Sequence, residues 1–277
     1  MAVNRFPQLD AKALAPTRDA LHAYCQILGM WLKHLAPQRK HWWHASLRPS
    51  LNGLTTGVIQ ASIDIELELN LRESLIVVST AQGQTFSERL SGQSVNQLAD
   101  QIEDFLLRQG LLQSDVPTRP DSMADIVFEH FSSQQAKLIA DALASVSKAM
   151  TPLRAEIREE TSPIQLWPHH FDLSMLWLPG SKIPGQDVNN AENADKQLNF
   201  GFTLGDESIP EPYFYITAYP LPENLPSHPL PKGTVWQGQG FNGAVLLYAD
   251  LIKQSEPPET YLNKLWHSVL SAARDTI

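Results

Sequence analysis

This chain of 277 residues has almost no cysteine: Cys25 is the only one. An internal disulfide is therefore excluded, and the sequence suits a reducing compartment. Basic charge is also short. Twenty-one Lys and Arg stand against thirty Asp and Glu, giving a formal charge of −9 and a pI near 5.4. Nucleic-acid binding needs clustered cations to neutralise phosphate, and an anionic membrane surface needs them equally. Neither partner fits. No apolar run approaches the roughly 20 residues of a membrane span, and residues 1–10 lack the apolar core of a signal peptide. The reading is a cytoplasmic protein. No P-loop lysine motif, His-Glu-x-x-His or paired-cysteine zinc pattern occurs, so no cofactor or metal is identified.

A hydrophobic share of 43% with 18% charged residues supplies ample core. Leu21, Tyr24, Cys25, Leu28, Leu32 and Leu35 recur at helical spacing, with Pro16-Thr17 ahead and Pro37 behind. Cys25 lies on that apolar stripe and reads as a small buried hydrophobe. His41–Arg48 reads as extended, and Asn52-Gly53 as a hairpin turn. From Ser62 to Asn70, Ile63, Ile65, Leu67 and Leu69 alternate with Asp64, Glu66 and Glu68, a strand with one wet face. Leu75–Thr80 and Gln84–Leu90 pair across Gln82-Gly83. Ser94-x-x-Gln97 and Ser132-x-x-Gln135 are capping boxes that open two further helices. A last helix carries Leu262, Leu265, Trp266, Val269 and Leu270.

The resulting fold class is α+β, with mainly antiparallel sheets and helices on their apolar faces. Two similar helix–strands–helix halves are predicted: an N-terminal half over 1–115, a linker over 116–132 and a C-terminal half over 133–277, packed as one unit. Loops 179–196 and 220–233 connect strands of the second half.

Three alternating segments in that second half stand out. Phe171, Leu173, Met175 and Trp177 oppose His170, Asp172 and Ser174. Leu198, Phe200, Phe202 and Leu204 oppose Asn199, Gly201 and Thr203. Phe214, Ile216 and Ala218 oppose Tyr213, Tyr215, Thr217 and Tyr219. The polar sides carry phenols, an imidazole and amides where the first half shows carboxylates, and such groups bury area while offering hydrogen bonds. That is the chemistry of a pocket or an interface. Tyr213, Tyr215, Tyr219 and Ser174, with Trp42 and Trp43, are the candidate ligand-binding residues.

His170 and Asp172, two residues apart on a strand, share a face, so His170 is a candidate general base oriented by Asp172. Both could equally ligate a metal with a third residue, Glu211 or His44. The catalytic candidates are thus His170, Asp172 and Glu211, and the metal is unknown. The alternative is a His and an Asp satisfying each other. A small organic ligand on this face is the leading reading. A hydrolase or metal-assisted enzyme is the second, and a protein-interaction module with the aromatics at a homo-oligomer interface is the third. Gly238-Gln-Gly240-Phe-Asn-Gly243 matches the dinucleotide fingerprint, but a strand follows it where that motif needs a helix. A β-turn is the reading there.

His41-Trp42-Trp43, Gly53-Leu54-Thr55-Thr56, Ser162-Pro163 and His170-Phe171-Asp172-Leu173 form a series of landmarks. It continues through Glu211-Pro212, Phe214-Tyr215, Ala218-Tyr219-Pro220 and Leu247-Tyr248-Ala249-Asp250. With these the chain resembles the uncharacterised bacterial domain-of-unknown-function family five-nine-nine-six, over nearly its whole length. The resemblance implies a shared fold and brings no activity, substrate or catalytic residue.

Overall fold

The computed structural model describes residues 6–119, 126–190, 192–238 and 242–277. Helix α1 (Ala11–Leu35) starts earlier than Pro16-Thr17 suggests, because the Asp10 carboxylate caps the N–H groups of Lys12 and Ala13. Pro16 is tolerated inside the helix and Thr17 lies buried. Five strands follow: β1 (Arg48–Pro49), β2 (Gly53–Ile59), β3 (Ile65–Asn70), β4 (Leu75–Thr80) and β5 (Thr85–Arg89). They pair antiparallel in sequence order as one sheet. Ile65, Leu67 and Leu69 are buried while Glu66 and Glu68 are half-exposed, the alternation read from sequence. Helix α2 (Val95–Arg108) is capped by Ser94 and α3 (Ser133–Glu156) by Ser132, as the two boxes predict. Between them, residues 120–125 of the supposed linker lie outside the described residues.

The second sheet comprises β6 (Glu160–Thr161), β7 (Gln165–Trp167), β8 (Asp172–Leu178), β9 (Gln197–Thr203), β10 (Tyr213–Tyr219), β11 (Thr234–Gln237) and β12 (Gly243–Leu247). Its order is β11-β12-β10-β9-β8, with β6 and β7 both pairing β8. Short helix α4 (Tyr248–Leu251) and α5 (Pro258–Arg274) end the chain. Two expectations change here. The strand expected after the glycine-rich fingerprint ends at Leu247 and gives way to α4 at Tyr248, where the Tyr248 N–H donates to the Pro212 carbonyl and its hydroxyl to the Pro7 carbonyl. The segment His41–Ala45 is not extended but a tight helical turn, with His41 and Trp42 both in the left-handed region (φ 50 and 56). A strand does follow the glycine-rich fingerprint: Gly243 opens β12, which pairs antiparallel with β11, Gln237 opposite Gly243, while the β-turn expected within the motif falls on residues 239–241, outside the described residues.

Backbone hydrogen bonds join the two sheets. Leu47 and Leu166 exchange both N–H···O bonds at 2.9 Å, tying the segment before β1 to β7. Beside them the Ser46 hydroxyl donates to the Gln165 side-chain oxygen (2.8 Å), which also accepts from Arg48 (3.1 Å). Helix α1 lies on β2 and β3, and α5 on β9; α3 touches β1, β2 and β8 and packs against α1 and α5. One continuous apolar core results. It holds the inner rows of both sheets, including Phe171, Leu173, Met175, Trp177, Phe200, Phe202, Phe214 and Ile216. The opposite face of the second sheet is left for other contacts.

Candidate functional site

The strand registers place the polar rows on that opposite face. Asp172 stands across from Thr203 and Ser174 from Gly201. In turn Thr203 stands across from Tyr213 and Gly201 from Tyr215. Gly201 explains what happens next. A Cβ there would fall on the Tyr215 ring, so only glycine lets the ring lie flat across β9. The ring thereby spans from β10 to β8, and its hydroxyl donates a hydrogen bond to Asp172 Oδ2. Tyr213 makes a parallel arrangement, donating to Asp206 at 2.5 Å, and the two rings pack 6.2 Å apart against Val245.

Asp172 is buried, and its Oδ1 has no hydrogen-bond partner among the described residues. Burial pushes its carboxyl above the usual range; the Tyr215 hydrogen bond and the nearby His170 charge oppose this without cancelling it. Tyr215 is pushed well above the ordinary phenol value by burial and by the Asp172 charge, with a hydrogen bond from Asn199 acting the other way. Asn199 Oδ1 is a second buried acceptor without a partner among the described residues.

Asp172, Asn199 and Tyr215 form one wall of an open cleft of about 1010 Å³. Leu176 and Gln197 continue that wall, and Trp167, Pro168, His169 and His170 form its edge. The facing wall is α1, through Gln26, Gly29, Met30, Lys33 and His34. The helix and the Trp167–His170 turn meet closely: a Cβ on Gly29 would lie 2.7 Å from Pro168, and His22 Nε2 donates to the His169 carbonyl at 3.1 Å. His41 and Trp42 close one end, and Pro117, Thr118 and Arg119 line another side.

The walls of this cleft are held in costly backbone geometry. Among the described residues other than glycine, positive φ occurs at His41, Trp42, Ser74 and Phe171; His41 and Trp42 line the cleft, and Phe171 sits in the chain between the lining residues His170 and Asp172. Left-handed conformation in bulky residues costs of order 1–3 kcal/mol each and persists where surroundings enforce it. The His41 ring supplies one such restraint, donating from Nε2 to buried Asp195 at 2.9 Å. Asp195 also accepts from Lys182 at 2.5 Å, which anchors the loop after β8. Burial would raise the Asp195 carboxyl, but the Lys182 and His41 hydrogen bonds outweigh it and hold the group low.

The sequence-chosen residues divide sharply. Asp172, Tyr215, His170 and Trp42 line the cleft. His170 departs from its expected place on a strand beside Asp172. It is exposed in the turn before β8, because positive φ at Phe171 (φ 55) breaks the alternation there. Ser174 is sealed beneath the surface, accepting from Trp167 Nε1 at 2.9 Å. Trp43 is buried away from the cleft, and His44 is occupied in accepting the Arg39 N–H at 3.1 Å. Tyr213 points to Asp206, Tyr219 is 40% exposed at the far end of β10, and Glu211 is exposed ahead of β10; none lines the cleft. Glu211 therefore does not join His170 and Asp172. No group of three His, Cys, Asp or Glu among the described residues is arranged to hold a metal ion.

Sequence reading missed the α1 wall and Asn199. The polar side of α1 (Gln26, Lys33) carries helical spacing of its own, and Gly201 within a strand marks the close approach of the Tyr215 ring. No helix among the described residues is long and apolar enough to cross a membrane. No curated protein and no solved structure matches the chain. The profile of the Family of unknown function (DUF5996) matches residues 6–277, nearly the entire sequence. The chain belongs to that family.

Proposed function

We propose that the cleft between α1 and the outer face of the second sheet binds a small organic ligand. One observation carries this reading. Asp172 is buried in the cleft wall with one oxygen held by Tyr215 and the other without a partner among the described residues. A buried acceptor left unpaired costs about 1–3 kcal/mol, which a ligand donor offsets on binding. The volume suits a metabolite, and the flat side chains Trp42 and Trp167 offer apolar area beside the polar groups. Buried Cys25 supports a reducing, cytoplasmic setting.

Thermal unfolding with a metabolite panel tests the reading. A true ligand at one hundred times its dissociation constant stabilises by about 2.7 kcal/mol, and Trp42→Ala or Asp172→Asn should diminish that gain. A panel with no stabiliser, or stabilisation unchanged in both variants, would sink it. The interface reading is weaker, since the Tyr213 and Tyr215 rings it needs are already buried within the chain.

Acid–base catalysis in the same cleft is the second reading. It is favoured by the left-handed Phe171, which sits directly between His170 and Asp172 and sets their relative position. Consumption of a panel compound over time, abolished in Asp172→Asn, would support it. Binding without turnover would leave the binder.

We also propose that residues 1–115 and 133–277 descend from one helix–strands–helix unit. Both run through nearly sequential antiparallel strands, and they meet antiparallel at Leu47 and Leu166. Superposing 17–110 on 133–275 is the check, and mismatched strand paths would end the idea.

A further inference from the structure

Resting on the small-ligand reading of the cleft, we infer that its ligand is an organic anion. Its negative group sits at the mouth beside Lys33, His169 and His170, and its flat body lies toward Trp42, Trp167 and Tyr215. The sequence as a whole is acidic, at −9, yet the accessible lining of this cleft is not. Lys33, His34, His169 and His170 are exposed on its walls, whereas the carboxylates lining it among the described residues are exposed Glu192 and buried Asp172. Arg119 also lines the cleft, but its charge is met by Asp100 at 2.5 Å and Glu103 at 2.9 Å. Lys33 has no such partner: its ammonium lies 5.8 Å from the centre of the Trp42 ring, and no carboxylate among the described residues pairs with it. A cation in a walled cleft, over an aromatic face and paired with no carboxylate of the described residues, focuses its field on whatever enters.

The imidazoles stand close enough together for an entering anion to act on several of them at once. The His169 and His170 rings stand 4.3 Å apart, and His22 reaches the His169 carbonyl from α1. The charged groups acting on them are Arg18 and Asp19 on α1 and Asp172 on β8. Partial desolvation and repulsion from His170 and His22 lower His169 to about 4 although the residue keeps an exposed edge, and partial burial lowers His22 as well. An anion seated among these rings favours their protonated forms and opposes that repulsion. Binding therefore takes up protons and tightens as pH falls.

Benzoate, phenyl phosphate, benzamide and benzylamine, each titrated calorimetrically into the full-length protein, test the inference. The two anions should bind, and the neutral and cationic compounds should bind at least roughly fivefold more weakly, the scale of one part-exposed charge pair. Benzoate stays ionised from about pH 6 to 8, so its tighter binding and net proton uptake at the lower pH would report the imidazoles. Lys33→Ala should weaken both anions roughly fivefold and leave benzamide unchanged; Lys33→Arg should restore them. A preference for phenyl phosphate or for benzoate separates a phosphate ester from a carboxylate. Benzamide or benzylamine binding as well as benzoate, with loss in Trp42→Ala, overturns the anion inference while the ligand site stands. Binding of none of the four overturns the inference, and the metabolite panel then decides the site alone.

Discussion

The outer faces of the two sheets use the same hydrogen bond in opposite surroundings. On the first sheet, the Thr55 hydroxyl donates to Glu66 at 2.6 Å and the Ser50 hydroxyl to Glu68 at 2.9 Å, with both carboxylates half-exposed. On the second, Tyr215 donates to Asp172 and Tyr213 to Asp206, with both phenol rings buried. Chemistry is nearly matched; solvent is not. An alcohol-to-carboxylate bond in water replaces one hydration partner with another and nets little. The same bond out of water carries the desolvation of both groups, so losing half of it is expensive. The comparison explains why the second face is where an unpaired acceptor, shifted titrations and a cleft coincide.

The most damaging way to break the contrast is to remove the ring that shelters the second face. Gly201→Ala puts a methyl where the Tyr215 ring lies, so the ring must leave β9 and abandon Asp172. Overpacking of this kind predicts a loss of about 2–3 kcal/mol in urea unfolding. Retained stability would mean that the ring has another place to go. Tyr215→Phe is next. It keeps the ring and deletes the hydroxyl, leaving both Asp172 oxygens without that donor, and should cost about 1–2 kcal/mol at neutral pH.

A difference in pH dependence follows from the same burial. The Asp172 carboxyl is raised above its unfolded value, so the folded state holds this proton more tightly than the unfolded chain. Its charge opposes folding. That penalty is absent below about pH 4, grows as pH rises through the folded value, and is then constant. Asp206 runs the other way: burial would raise it, but hydrogen bonds from Tyr213, Ile209 and Ser208 hold it low, so its contribution is present above about pH 4 and lost below. Asp172→Asn removes only the first effect. The stability of the variant relative to the parent should therefore increase with rising pH, read from urea midpoints across about pH 4 to 8. A flat difference would mean that Asp172 titrates normally.

Much of this architecture was legible in the sequence because alternation and capping are local signals. The inner rows Phe171–Trp177, Leu198–Leu204 and Phe214–Ala218 follow from spacing alone, as do the caps at Ser94 and Ser132. What spacing does not carry is backbone geometry set by tertiary contact. Nothing local announces left-handed His41, Trp42 and Phe171, and Phe171 is what moves His170 off the strand. Nor does alternation distinguish buried Tyr215 from exposed Tyr219, since both point to one side of β10. Burial there depends on which strand lies alongside and on the glycine facing Tyr215. The α1 wall was invisible for a related reason: Lys33 becomes part of a site only because Pro168 fits against Gly29 one turn earlier.

The smallest expected effect sharpens the comparison from its wet side. Thr55→Val keeps the β-branched shape that the strand favours and deletes the hydroxyl that donates to Glu66 and accepts the Gly57 N–H at 2.9 Å. Glu66 turns to water without desolvation, and the Gly57 N–H lies in a half-exposed bulge where water can reach it. The loss should stay near 0.5 kcal/mol, several-fold below that of Tyr215→Phe, although each variant deletes one hydroxyl from one carboxylate. Adding salt should scarcely alter the difference between the pair, because neither bond is an ion pair. Equal losses from the two variants would show that the second face is as well hydrated as the first. The unpaired Asp172 oxygen would then already be satisfied by water, and a ligand would gain nothing by reaching it.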